Sequence, residues 1–293
     1  MRIGAFDIQE PLPEFKELHA VALLHPWVNA GSVGTLALAT LERHLGAKEL
    51  GKLARPGTFF DFTRYRPISR FNEGNRVVTV PNCDIYYALT PKGPDFLFVH
   101  LMEPHAFAER YIHSVVDLLK TLNVKRYCRV SGMYSAVPHT RPLRVTGGRG
   151  LEAVARLVEV SPQGGGSYQG PTSIMNSVTE ELGKLGVENV NFMVHLPHYL
   201  GLEEDYAGTA RLVEVLCALY NLPPGLADKE RGARQYREAG TEVEHSPQGK
   251  ALLQRLEEFY DANQTPALQQ EVTPLAPDVE RFLRELGQQM GES

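Results

Sequence analysis

Short runs of consecutive apolar residues alternate along the chain with longer stretches in which apolar residues return every three or four positions. The first kind suits a strand buried on both faces, the second an amphipathic helix. The run AVALL at 20–24 predicts a strand, the turn Asn29-Ala30-Gly31-Ser32 follows, and a helix over 33–44 carries Val33, Leu36, Ala37, Thr40 and Leu41 at helical spacing. Residues 76–80 and 85–89 flank Pro81-Asn82-Cys83-Asp84 and predict a hairpin. A buried strand at 96–101 leads to a helix over 107–122 whose stripe is Tyr111, Val115, Leu118, Leu119 and Leu122. A strand at 125–130 ends at Ser131-Gly132, and an irregular loop carries 137–142. Gly164-Gly165-Gly166 reads as a flexible or tight loop, and Gly170-Pro171-Thr172 opens a helix through 185 with Thr172 or Ser173 as its cap. A strand at 190–194 and a helix over 206–220 complete the series.

Strand and helix in this alternation predict an α/β fold: an open, mostly parallel sheet with helices on both faces, of the phosphorylase/hydrolase-like kind. From Asp228 onward charged helical segments dominate, then a linker with Pro266, Pro274 and Pro277 precedes a last helix over 278–290. The organisation expected is therefore an α/β core over 1–225 and a small C-terminal helical appendage over 226–293.

The 293 residues, 43% apolar and 22% charged, supply a sizeable core without staples. A formal charge of -5 with scattered Lys and Arg offers no footprint for a phosphate backbone, so nucleic acid is not an expected partner. Cys83, Cys128 and Cys217 are far apart and odd in number, which favours reduced thiols over a disulfide framework or zinc cluster. No run approaches the roughly 18 apolar residues of a membrane span. Asp7 and Glu10 interrupt the N-terminus where a signal peptide needs an apolar stretch, so a cytoplasmic protein without membrane contact is expected.

In open α/β sheets ligands bind beyond the carboxyl ends of the strands, which selects the polar residues of interest. These are Asn29, Gly31 and Ser32 after the first strand, and Glu103 with His105 after the 96–101 strand. Ser131, Tyr134, His139 and Arg141 follow the 125–130 strand, and His195 and His198 follow 190–194. The Asn29–Ser32 turn at a helix start offers backbone amides to an anion, or is simply a tight turn with Ser32 as N-cap. His139 and Arg141, stiffened between Pro138 and Pro142, suit proton transfer and the grip of an anion; the plainer reading pairs Arg141 with Glu103. His195 and His198 are three apart, but without an acidic or sulfur neighbour they read as packing residues rather than metal ligands. No dinucleotide fingerprint, phosphate loop or GxSxG elbow is present, so no cofactor is expected and nucleophilic catalysis is unsupported.

With those residues in view the chain resembles the prokaryotic branch of the PAC2 family, named for proteasome assembly chaperone 2. The resemblance rests on PWVNAGSVG at 26–34, Glu103-Pro104, VPHTRP at 137–142, Gly170-Pro171-Thr172 and LPHYL at 196–200. It implies an α/β core like that of purine nucleoside phosphorylases, self-association and a part in assembling protein complexes. It implies no established catalytic residues. Eukaryotic relatives are chaperones of proteasome α-subunits, and some archaeal relatives dock through a C-terminal hydrophobic-Tyr-any motif. The last residues here, Met290-Gly291-Glu292-Ser293, lack that motif, so docking by that route is not expected. Some bacterial relatives are labelled carboxylate–amine ligases, a label that no nucleotide loop here supports.

The expected function is a non-enzymatic assembly or scaffold protein that forms a dimer or trimer and engages another protein complex. The alternative is a small-ligand binder or a phosphorylase/hydrolase-like enzyme using the strand-end crevice. There Arg141 and the Ser32 turn would hold an anion and His139 or Glu103 would move a proton. Two features agree with self-association: an apolar stripe of Val279, Phe282, Leu283 and Leu286, and the single Trp27 beside Pro26 at a strand end.

Overall fold

The computed structural model describes residues 1–72, 74–147, 152–160 and 172–262. The glycine loop at 164–166, the start of the expected helix at 170–171, the proline linker and the stripe at 279–286 lie outside them. The elements run β1 (Arg2–Ile3), β2 (Phe6–Ile8), β3 (His19–His25), α1 (Val33–Leu45), β4 (Lys48–Leu53), β5 (Ile68–Asn72), β6 (Asn75–Thr79), β7 (Asp84–Ala88), β8 (Phe96–Met102) and α2 (Ala108–Thr121). They continue with β9 (Arg126–Ser135), β10 (Val145–Gly147), β11 (Glu159–Val160), α3 (Ile174–Lys184), β12 (Glu188–Pro197), α4 (Tyr206–Tyr220), α5 (Lys229–His245) and α6 (Pro247–Ala262). Met1–Glu257 form one compact unit and Glu258–Ser293 a second. All these elements but the end of α6 belong to the first.

Among the described residues ten strands make one sheet in the order β1-β2-β4-β7-β8-β3-β9-β12-β10-β11. The central four, β8-β3-β9-β12, are parallel, as unbroken apolar runs joined by helices predict, and β1, β2, β4 and β7 extend the sheet antiparallel on the β8 side. In β3 the alternation sorts side chains to two cores. Ala20, Ala22 and Leu24 join Leu97, Val99 and Leu101 of β8 in a cluster with Tyr111, Val115 and Leu118 of α2 and Met175, Val178 and Leu182 of α3. Val21 and Leu23 take the opposite side, where α1 packs on α4. Fully burying one such Leu or Val contributes about 1.5–3 kcal/mol.

Two expectations need correction. Residues 76–80 and 85–89 are not a hairpin: β6 pairs with β5, Ile68 opposite Thr79, while β7 runs between β4 and β8. The turn that closes a hairpin is the Gly74 bend (φ +80), whereas Pro81 lacks the amide a continuing ladder needs. Second, β9 and β12 do not stop at residues 130 and 194 but run on in register to Ser135 and Pro197. Their polar continuation is stable because the side chains find partners across the sheet: Ser131 Oγ donates to the Phe192 carbonyl at 3.2 Å.

Candidate functional site

The turn after β3 is closed on itself. Asn29, not Ser32, supplies the cap of α1: its Oδ1 accepts from the Gly34 amide and its Nδ2 donates to Thr35 Oγ1, both at 2.9 Å. Ser32 stands at the cap position with φ +52 and makes no side-chain cap bond. The amides of Ser32 and Val33 donate to Asn29 and Ala30 carbonyls, so three amides that would meet an anion are engaged internally. Gly31 (φ +55) presses on Asp205, where a Cβ would come within 2.6 Å of the Asp205 Cβ, and its carbonyl accepts from the Asp205 amide at 2.8 Å.

Asp205 is the hinge of the arrangement. Its Oδ1 accepts from the Gly208 amide at 2.7 Å, which starts α4, and its Oδ2 accepts from the Tyr236 phenol of α5 at 2.8 Å. Burial raises the pKa of both groups, against the hydrogen bonds that favour the Asp205 carboxylate. The Tyr236 ring meets that of His139 edge-on, 6.3 Å between centroids. His139 in turn holds Tyr199: its backbone amide donates to the phenol at 2.8 Å, and its Nδ1 lies 2.7 Å from the same oxygen. The phenol thus ties together the backbone and the ring of His139. Nε2 faces Gly240 of α5 so closely that a Cβ there would sit 2.3 Å away. Burial lowers the His139 pKa, while Glu244 and Glu257 pull it upward.

Arg141, two residues on, does not pair with Glu103. Its Nη1 donates to Glu257 Oε1 at 3.0 Å, and Thr140 hydrogen-bonds the same carboxylate. Glu103 belongs with α3: it takes a hydrogen bond from the Ile174 amide, burial raises its pKa, and its carbonyl accepts from Tyr65 at 3.1 Å. The sheet separates the two, because the loop of Arg141 packs on the α4–α5 side. His198 returns to the first group, with its Nδ1 3.1 Å from the Ser135 carbonyl and its ring 5.6 Å from that of Tyr199. Asn29, Gly31, His139, Arg141 and His198 thus gather around Asp205, Tyr199 and Tyr236. Ser32 makes no side-chain cap bond, and Glu103 stands apart.

His195 uses both ring nitrogens within the sheet, Nδ1 at 2.8 Å from Ser135 Oγ and Nε2 at 3.0 Å from Thr146 Oγ1. A serine beside an imidazole is half of a nucleophilic apparatus, yet the third partner is a neutral hydroxyl with no charge to stabilise an imidazolium. Burial and then Arg144 lower the His195 pKa, so the ring is a neutral cross-strand tie. Among the described residues no group of three or more His, Cys, Asp or Glu stands where it could hold a metal, and no helix is long and apolar enough to cross a membrane. Sequence reasoning missed Asp205, Tyr236, Tyr199 and Glu257. Asp205 carried a signal as a capping residue just before an apolar helical period, and Tyr199 stood within the LPHYL segment.

The PAC2 family profile matches residues 23–244, which include β8, β9, β12, the end of β3 and most of the Asp205 assembly. The chain belongs to the PAC2 family. Among solved structures this PAC2 chain is similar to Rv2714 of Mycobacterium tuberculosis, a protein of unknown function, at 25% identity and TM-score 0.75 over 89% of this chain and 92% of that one. It shares its fold with Rv2125 of the same organism, a proteasome-assembly chaperone homologue, at 20% identity and TM-score 0.63 over 87% and 97% of the two chains. It also shares it with PbaB of Pyrococcus furiosus, an archaeal proteasome activator, at 15% identity and TM-score 0.63 over 82% and 98%. A comparison with curated proteins finds no match.

Proposed function

We propose that this PAC2 protein is a non-enzymatic assembly factor that works by binding proteins in the cytoplasm, and that it does so as a homo-oligomer. The observation that carries the reading is the β5–β6 hairpin. All of its described strand residues are exposed, including Ile68, Val77, Val78 and Phe71, the last at 79%. Its register puts Ile68, Arg70 and Val77 on one face and Phe71, Arg76 and Val78 on the other, so both faces carry apolar side chains. A two-stranded hairpin is marginal alone in water and gains stability by burial against something else. Apolar side chains grouped on an exposed arm mark a protein contact. Relatives of this fold, a proteasome-assembly chaperone homologue and an archaeal proteasome activator, lend the same direction, and the Asp205 assembly supplies tight packing in place of a catalytic set.

A second copy of the chain is the first occupant assigned to the hairpin, and half-exposed Trp27 is a second contact for it. Light scattering across a wide concentration range tests this directly. The wild type is expected to be a dimer or trimer, and Phe71→Asp with Val78→Asp to be monomeric with unchanged circular dichroism. A wild type that stays monomeric at high concentration refutes the oligomer. An oligomer that survives the double substitution while capture of a partner complex is lost moves the hairpin from self-contact to partner contact.

A further inference from the structure

A cleft of about 390 Å³ opens between α4, α5 and the Arg141–Leu143 segment, sharing Arg141 and Tyr236 with the cluster around Asp205. Its size falls in the range of roughly 300–1,000 Å³ typical of small-molecule sites. It exists because small side chains face each other there, Ala207 and Ala210 on α4 and Ala233 on α5, with Leu143 and the Tyr236 ring completing an apolar wall. Gly232 lets the two helices close at one point, where a Cβ would lie 2.6 Å from the Ala207 Cα.

Charge is distributed unevenly around that wall. Arg141, Arg211 and Lys229 line the cleft from three different elements, and Glu214 is the carboxylate among the lining residues. Glu214 is shared by Arg211 Nη1 at 2.5 Å and Lys229 Nζ at 2.6 Å, and Glu257 pairs with Arg141 at the edge. At the α4–α5 side two cations, Arg211 and Lys229, thus share the single carboxylate of Glu214, on a chain whose formal charge is -5. The Arg211 guanidinium is also fixed in place, its Nε donating to the Leu143 carbonyl at 3.1 Å and its Nη2 to that of Leu157 at 2.8 Å. A cation already immobilised loses little side-chain entropy when it takes a ligand.

We propose that this cleft binds a small organic monocarboxylate with an apolar body, the carboxylate at Arg211 and Lys229 and the body against Ala210, Ala233, Leu143 and Tyr236. A dianion such as phosphate fits less well, since the local excess is a single charge and the wall is mostly apolar, which penalises a strongly hydrated ion. The proposal is independent of the hairpin and of any oligomer, so a failed oligomer test leaves it standing and the reverse also holds.

Isothermal titration of the full-length protein with phenylacetate and hexanoate, each paired with its uncharged amide, tests it. Inorganic phosphate and a short peptide ending in a free Phe carboxylate complete the set. Saturable one-to-one binding of the acids, with at least about 10-fold weaker binding of the amides, is expected. Ala233→Phe, which fills the cleft from α5, should abolish that binding, and Lys229→Met should weaken it by about 2- to 5-fold, the range of one exposed charge. No saturable binding of either acid overturns the proposal, and so does equal binding of acid and amide. Phosphate or the peptide binding where the acids do not overturns the ligand class. Should Ala233→Phe fail to fold, a diazirine-bearing phenylacetate decides the location by cross-linking. Adducts within 206–220 or 229–245 support the cleft, and adducts elsewhere overturn it.

Discussion

The Tyr236 phenol donates to Asp205 Oδ2 across 2.8 Å with both side chains buried, so one carboxylate caps α4 and anchors α5. Tyr236→Phe keeps the ring against His139 and removes only that bond. A hydrogen bond to a charged group contributes about 1.5–3 kcal/mol, and the variant should lose that much stability. Urea unfolding reads the loss as a lower midpoint with an unchanged slope. An unchanged midpoint would mean that Asp205 does not hold α5.

Gly240 carries a second prediction, of opposite sign to helix propensity. Gly→Ala inside a helix ordinarily gains up to about 1 kcal/mol. Here the new methyl would meet His139 Nε2 at 2.3 Å, and that ring is held by Tyr199 on its other side. Overpacking of this kind costs about 1–3 kcal/mol, so Gly240→Ala should destabilise. Gly240→Ala combined with His139→Ala should recover part of the loss, a coupling that a double-mutant cycle measures. Strict additivity of the two substitutions would refute the contact.

These contacts mark what the sequence could and could not convey. The parallel centre was legible because β3 and β8 are mostly apolar runs and α2 repeats at helical spacing. The antiparallel side of the sheet was not, since β7 lies beside β6 in the chain and pairs with β4 and β8 in space, a choice made by tertiary packing. The loops of Asn29, His139 and His198 were placed correctly at strand ends. The partners of the His139–Arg141 loop were hidden because Tyr236 and Glu257 lie about a hundred residues further on, and nothing local to an amphipathic helix announces which phenol or carboxylate will turn inward. Arg141 shows the same limit: the nearest acid on a strand end was Glu103, and the actual partner comes from α6.

The start of α1 separates two serviceable capping residues. Asn29→Ala removes the acceptor of the Gly34 amide and the donor to Thr35, and should cost about 1 kcal/mol, the usual value of a lost cap. Ser32→Ala removes a hydroxyl without a cap bond and should stay within about 0.5 kcal/mol of the wild type. Thermal unfolding of the two variants side by side checks the order. A larger loss from Ser32→Ala would return the cap to the serine.

His139 makes the packing of α5 depend on pH. Burial holds its folded pKa below the value of about 6.5 expected in the unfolded chain, although Glu244 of α5 and Glu257 of α6 oppose the shift and the facing Tyr199 and Tyr236 are neutral. As the pH falls below about 6.5 the unfolded chain takes up a proton that the folded chain still refuses. Stability therefore declines through that window, and the loss is complete once the pH passes below the folded pKa. His19, His25 and His195 are also lowered by burial and add slopes of the same sign, so the wild-type curve alone does not isolate His139. His139→Gln removes one titrating group and should give a shallower decline over the same window. Glu244→Gln removes an attraction that favours the protonated ring, so it should lower the folded pKa further and steepen the decline. Hydrogen exchange of the α5 amides against pH reads the same order locally, because the His139 ring packs directly against Gly240. Parallel curves for wild type and His139→Gln would show that the imidazole titrates alike in both states, and the coupling of its charge to α5 would fall with them.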